Sequence, residues 1–154
     1  MNRLRVYVLL LGILLIAACA TVPPSQQEDS VLTVLQMLEN RRTDELSRHS
    51  RTPFLLDAEI ITAEKDVLDL WQLLTTRGYQ FPNPVIESIT PAAEDSYQLF
   101  GDTMEVRVYF ERHLPDDAAV AEVTAGGERF RFIFAESING RSGLPLMYGW
   151  KGPL

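Results

Sequence analysis

Beyond residue 30 the apolar positions Val31, Val34, Leu35 and Leu38 recur at i, i+3, i+4, i+7, the spacing that gathers side chains on one face of a helix. Asp29 or Ser30 suits its N-cap, and the helix is expected to end near Asn40. Thr43 followed by Asp44 and Glu45 puts a cap and two carboxylates where helix amides and the dipole favour negative charge, which predicts a short second helix to about His49. Pro53 drives Thr52 out of helical geometry. Residues 54–61 then alternate as a strand, with Phe54, Leu56, Ala58 and Ile60 facing inward. Thr62 is expected to cap a third helix in which Val67, Leu70, Trp71 and Leu74 repeat the spacing of the first, with Gly78 as its stop. Both long helices need the same core.

The second half patterns as sheet. Pro82 and Pro84 punctuate a loop before a strand over residues 85–90, and Thr90-Pro91 suits an N-cap and N1 for a short helix over 92–100, closed by Gly101. Residues 103–112 alternate, with Met104, Val106, Val108 and Phe110 against Glu105, Arg107, Tyr109 and Glu111, which predicts a half-buried antiparallel strand. Gly126-Gly127 between residues 120–124 and 129–135 predicts a hairpin, because paired glycines tolerate the positive φ of a tight turn. Phe130, Phe132 and Phe134 share its inner face. Asn139-Gly140 repeats the turn chemistry before a last strand over 144–151, in which Leu146, Tyr148 and Trp150 fall on one side. Arg129 and Arg131 are expected to pair across strands with Glu105 or Glu111.

The N-terminal apolar positions follow a different rule. Arg3 and Arg5 precede an apolar run over residues 6–16, and Ala17-Ala18-Cys19 ends it: a basic region, an apolar stretch and small residues, the three parts of an export signal. This resembles a bacterial lipoprotein signal with its lipobox, in which the thiol of Cys19, the chain's only cysteine, is the nucleophile that takes the diacylglycerol. Competing readings are a permanent transmembrane helix, an ordinary secretory signal and a chance buried cysteine. A spanning helix needs roughly 20 apolar residues, and Thr21, Pro23 and Pro24 interrupt the run first. The expected organisation is therefore a cleaved signal peptide over 1–18, a lipidated tether over 19–28 whose TVPPSQQE stretch favours extended polyproline geometry, and one domain over 29–154. Several acyl chains, palmitate among them, hold such a protein firmly where one holds it only marginally. Ala20 stands where lipoproteins retained in the inner membrane commonly carry Asp, so the resemblance implies the outer membrane and a periplasmic setting.

Loss of residues 1–18 removes Arg3 and Arg5 and no acids, moving the formal charge from −7 to −9. An acidic chain in which no basic cluster stands out argues against nucleic acid and anionic headgroups as partners. With its one thiol committed to lipid, the domain has no disulfide and depends on packing a single core.

Helices, a strand, a third helix and an antiparallel meander ending in Tyr148-Gly149-Trp150-Lys151-Gly152 give an α+β order that resembles the NTF2-like (cystatin-like cone) superfamily over residues 28–152. The particular pieces are the Pro53-Phe54 strand before a Trp-containing helix and the terminal Gly149-Trp150-Lys151-Gly152. Leu144-Pro145 departs from the pattern, and Pro145, lacking an amide, suggests an edge or bulge there. The resemblance implies N-terminal helices packed on a curved antiparallel sheet, enclosing a cone that is an active site, a binding pocket or simply core. It also implies a homodimer through the open sheet face, where Tyr109 and Ile133 are expected to be exposed.

Candidate chemistry is thin. Enzymatic members project an Asp, or an Asp and His pair, into the cone, and Asp57 is the nearest match; alternation instead puts it with Glu59, opposite the apolar face. His49 and His113 read as surface residues at element ends. No Gly-x-Ser-x-Gly elbow is present, Gly140-Arg141-Ser142-Gly143 reads as a turn, and Asp116-Asp117 and Glu94-Asp95 lack the spacing of a calcium loop. No catalytic, metal or cofactor site is therefore expected. Trp71, Phe110, Phe132, Tyr148 and Trp150, with Phe130, either line an apolar pocket or fill the core. Three functions remain: a non-catalytic envelope lipoprotein that binds a protein partner or supports an assembly, a carrier or sensor of a small apolar ligand, and a hydrolyase or isomerase using Asp57.

Overall fold

The structure, a computed structural model, describes residues 24–136 and 143–154. Cys19, the run before it, and the Asn139-Gly140 turn lie outside the described residues. In chain order the elements are α1 (Pro24–Glu39), α2 (Thr43–Arg48), β1 (Ser50–Leu56), β2 (Glu59–Ile61), α3 (Glu64–Thr76), β3 (Val85–Pro91), a 3-10 turn (Ser96–Leu99), α4 (Met104–His113), β4 (Ala119–Ala125), β5 (Glu128–Ala135) and β6 (Leu146–Lys151). Six strands form one curved, unclosed sheet in the order β2-β1-β6-β5-β4-β3. All neighbours are antiparallel except β1 and β6, which run parallel. This is the α+β architecture of helices on a curved sheet that the sequence implies.

Both sheet faces are covered. On the inner face Val34, Leu35 and Leu38 of α1, Leu46 of α2, and Val67 and Trp71 of α3 pack with Phe54, Phe130, Phe132, Phe134, Met147 and Trp150. On the outer face Val106 and Tyr109 of α4 pack with Leu55, Phe100, Val120 and Ile133. The β4–β5 hairpin forms as read, with Gly126 and Gly127 at φ +60° and +86° between the paired strands.

Helix α1 begins at Pro24, inside the stretch read as an extended tether. Proline suits a first helical position, because the amide it lacks would have no intrahelical acceptor there. Residues 54–61 form two strands and not one: β1 starts at Ser50, and Asp57, at φ 54°, turns the chain into β2. Phe54 and Leu56 keep the inner face, while Ala58 is exposed in the turn and Ile60 packs on the outer side. Residues 92–100 give only the 3-10 turn, since Pro91 ends β3 instead of opening a helix.

The largest departure is α4, where a strand was expected. Val106, Tyr109, Phe110 and His113 also satisfy helical spacing. Thr103 Oγ1 caps the helix by accepting the Val106 amide at 3.3 Å, Glu105 occupies the first turn, Arg112 and His113 the last, and Arg107 donates to Glu111 at 2.9 Å one turn on. Arg131 consequently pairs with Glu122 at 2.8 Å, its register partner on β4, and neither Glu105 nor Glu111 is its partner. Tyr109 and Ile133, expected on an open dimer face, are both at 0% exposure under α4.

Tyr109 anchors α4 at an irregularity. The β1–β6 register jumps from Ser50↔Met147 to Leu55↔Gly149, and Tyr148 is the extra residue where the β5–β6 register shifts. That bulge lies three residues beyond Pro145 and moves Tyr148 off the face of Trp150. The Tyr109 hydroxyl sits 2.6 Å from the Tyr148 carbonyl and 3.0 Å from that of Pro53, and donates its proton to one or the other. Tyr109→Phe is expected to cost about 1–3 kcal/mol, because the one hydroxyl donor facing these two part-buried carbonyls is lost; urea titration measures it. Burial pushes the Tyr109 phenol well above its usual range. The unfolded chain, whose tyrosine ionises near pH ~10, then binds fewer protons than the folded one above that pH. Stability should fall as pH rises through that value, and less steeply in Tyr109→Phe.

Candidate functional site

The interior of the cone is an aromatic stack. Trp71 on α3 lies flat against Trp150 on β6, with centroids 5.9 Å apart and planes 9° apart, and Trp150 in turn stacks on Phe132 at 6.2 Å. Phe81 meets Phe130, Phe132 and Trp150 edge-on at 5.2–5.4 Å, and Phe54 closes the far side against Trp71 at 5.9 Å. Offset and edge-to-face arrangements of this kind suit the ring quadrupoles. The Trp71 indole donates to Ser50 Oγ at 3.0 Å, and the Ser50 hydroxyl donates in turn to the Leu46 carbonyl at 2.9 Å. Among the described residues the Trp150 indole nitrogen has no hydrogen-bond partner.

Of the five residues read as a possible pocket, Trp71, Phe132 and Trp150 come together in this stack. Phe110 and Tyr148 pack against the opposite sheet face. The five therefore line no common cavity. Helix α4 and the β6 bulge separate them, because both break the period-two alternation that had put Phe110 and Tyr148 inside.

Asp57 is exposed in the β1–β2 turn. Its amide donates to the Trp150 carbonyl at 2.8 Å, and its Oδ1 accepts the Gly152 amide at 3.1 Å, so it pins the hairpin to the end of β6. His49 follows α2 with Nδ1 3.3 Å from the Pro145 carbonyl, and His113 ends α4 with its ring 5.7 Å from that of Tyr109. Among the described residues no group of acids, histidines or cysteines is placed to hold a metal, and no helix is long and apolar enough to cross a membrane.

Cavities among the described residues lie elsewhere. One, of about 290 Å³, opens between the start of α1 and the ends of β3, β4 and β5. Val31, Ile89, Ala119, Phe134, Leu144 and Pro145 give it an apolar wall, and Gln27, Ser30, Asp117 and Glu136 supply polar groups. Asp117 is partly committed, since its Oδ2 accepts the Glu136 amide at 3.0 Å. Another, of about 280 Å³, sits where α2 ends, β1 begins and α3 starts, lined by Ser47, Arg48, Ser50, Arg51, Thr52, Glu64 and Val67. Neither cavity was read from the sequence. The available signal for the second was Arg41, Arg42, Arg48 and Arg51 within eleven residues of an otherwise acidic chain.

No protein-family model and no curated protein sequence matches this chain.

Proposed function

We propose that the chain is a lipid-anchored protein of the bacterial cell envelope, acylated at Cys19 and held at the outer membrane, whose single NTF2-like domain is non-catalytic and binds a protein partner or supports an envelope assembly. The observation that carries the non-catalytic part is the aromatic stack. Where a cone-based enzyme or carrier needs space and convergent polar groups, Trp71, Trp150, Phe81 and Phe132 occupy the volume. Asp57 argues the same way, being exposed and engaged with Gly152. The anchoring part rests on Arg3, Arg5, the apolar run and Ala17-Ala18-Cys19.

A carrier or sensor of a small apolar ligand is the second reading, and the 290 Å³ cavity beside α1 favours it. Its ligand would sit at the end of the sheet and not in the cone. Metabolic labelling with a palmitate analogue is expected to mark the wild-type protein and to be lost in Cys19→Ala; label that persists in the variant overturns the anchor. Native mass spectrometry of the delipidated protein separates the two domain readings. A copurifying lipid-like mass favours the carrier, and crosslinking to one defined neighbour without such a mass favours the partner-binding domain.

A further inference from the structure

We propose that the pocket between α2, β1 and α3 binds an oxyanion through Arg48 and Arg51, a site independent of the lipid anchor and of the cone. Both arginines line the 280 Å³ cavity and are exposed. Among the described residues the ion pairs are Arg42–Glu45, Lys65–Asp69, Arg107–Glu111 and Arg131–Glu122, so neither Arg48 nor Arg51 is spent on a carboxylate. Glu45, one turn before Arg48, is held by Arg42 instead. Glu64 is the one acid among the lining residues, and two guanidiniums against it leave the pocket net positive.

The walls supply matching donors. Ser47 and Thr52 bring hydroxyls, while Ser50 is fixed between the Trp71 indole and the Leu46 carbonyl and stiffens the strand start that carries Arg51. Helix α3 opens at this pocket with Ala63 at its N-cap and no side-chain cap; the Asp66 amide donates to the Ala63 carbonyl at 3.1 Å, and no side-chain oxygen caps the amides of Glu64 and Lys65 before it. A concave site with net positive charge concentrates anions even on a protein of opposite net charge. Guanidinium forks suit the planar pairing of phosphate or carboxylate oxygens.

The test is a titration of the isotopically labelled full chain in detergent with inorganic phosphate at constant low ionic strength, followed through backbone amide resonances. Saturable shifts at Ser50, Arg51, Thr52 and Glu64 are expected, with half-saturation at about 1–10 mM. Arg48→Gln and Arg51→Gln should each weaken the response about tenfold, roughly the worth of one charge-assisted contact, while Arg77→Gln leaves it unchanged. Sedimentation of Cys19→Ala with phosphatidylglycerol vesicles but not phosphatidylcholine vesicles, lost in the two arginine variants, identifies a lipid headgroup as the source. Phosphate saturation without sedimentation identifies a soluble anion. Absence of both, or equal half-saturation in wild type and arginine variants, overturns the site. None of these readouts depends on whether Cys19 is acylated.

Discussion

Trp71→Ala is expected to cost about 3–5 kcal/mol, a large part of the roughly 5–15 kcal/mol that holds a domain of this size folded. Trp71 is at 0% exposure, stacked on Trp150 and met edge-on by Phe54, so truncation removes the contact joining α3 to β1 and β6 together. Close packing leaves little nearby to collapse into the void. The indole also heads the relay through Ser50 to the Leu46 carbonyl, which ties α3 to the start of β1 and to α2. The milder pair Trp71→Phe and Trp150→Phe separates these contributions. Both lose part of a ring, but Trp71→Phe also strips a donor from Ser50, whereas Trp150→Phe removes a buried N–H that has no partner among the described residues. Trp150→Phe should therefore be the less costly by about 1 kcal/mol. Urea unfolding followed by far-ultraviolet circular dichroism measures all three; equal costs for the two phenylalanine variants would mean that the relay contributes nothing.

Elements with one dominant period were legible in the sequence. The apolar faces of α1 and α3 and the Phe130, Phe132, Phe134 stripe on β5 carry a single reading each, and the glycine pair at 126–127 fixes the hairpin between β4 and β5. Residues 103–112 satisfy two periods at once, since Val106 and Tyr109 stand opposite each other as a strand and together as a helix. The tie is broken by end effects, the Thr103 cap and the Arg107–Glu111 pair, and by the outer sheet face, which α4 covers. That one element decides where Tyr109, Phe110 and Ile133 lie, so both the dimer face and one of the five pocket positions, Phe110, depend on it; Tyr148 is displaced by the β6 bulge. The arginine pocket was illegible for another reason. Arg48 and Arg51 meet Glu64 only after β1, its turn and β2 return the chain to α3, and local spacing carries no trace of that return.

Gly149→Ala is expected to cost about 3 kcal/mol, at the upper end for overpacking, although it adds a single methyl group. Gly149 registers with Leu55 on β1 and with Ile133 on β5, and both of those side chains are fully buried on the outer face. A Cβ at Gly149 would stand 2.7 Å from the Leu55 carbonyl oxygen, 2.9 Å from Leu55 Cβ and 3.2 Å from Ile133 Cδ1. The first of these is backbone, which cannot swing aside as a long side chain does, so relief requires β1 to move away from β6. Those strands form the only parallel pair in the described sheet, and their register already jumps between Ser50 and Leu55, so the added methyl group falls beside an irregularity that the ladder has no slack to widen. The glycine in the Gly149-Trp150-Lys151-Gly152 end thus has a local physical cause in the closeness of Leu55. Gly127→Ala is the control: its φ is +86° but nothing stands within 4 Å of the added Cβ, so only the backbone penalty of about 1–2 kcal/mol applies. Hydrogen exchange locates the damage. In Gly149→Ala the amides of β1 should lose protection while those of the β4–β5 hairpin keep it, and uniform loss across the sheet would show that the close approach at Leu55 is not where the strain enters.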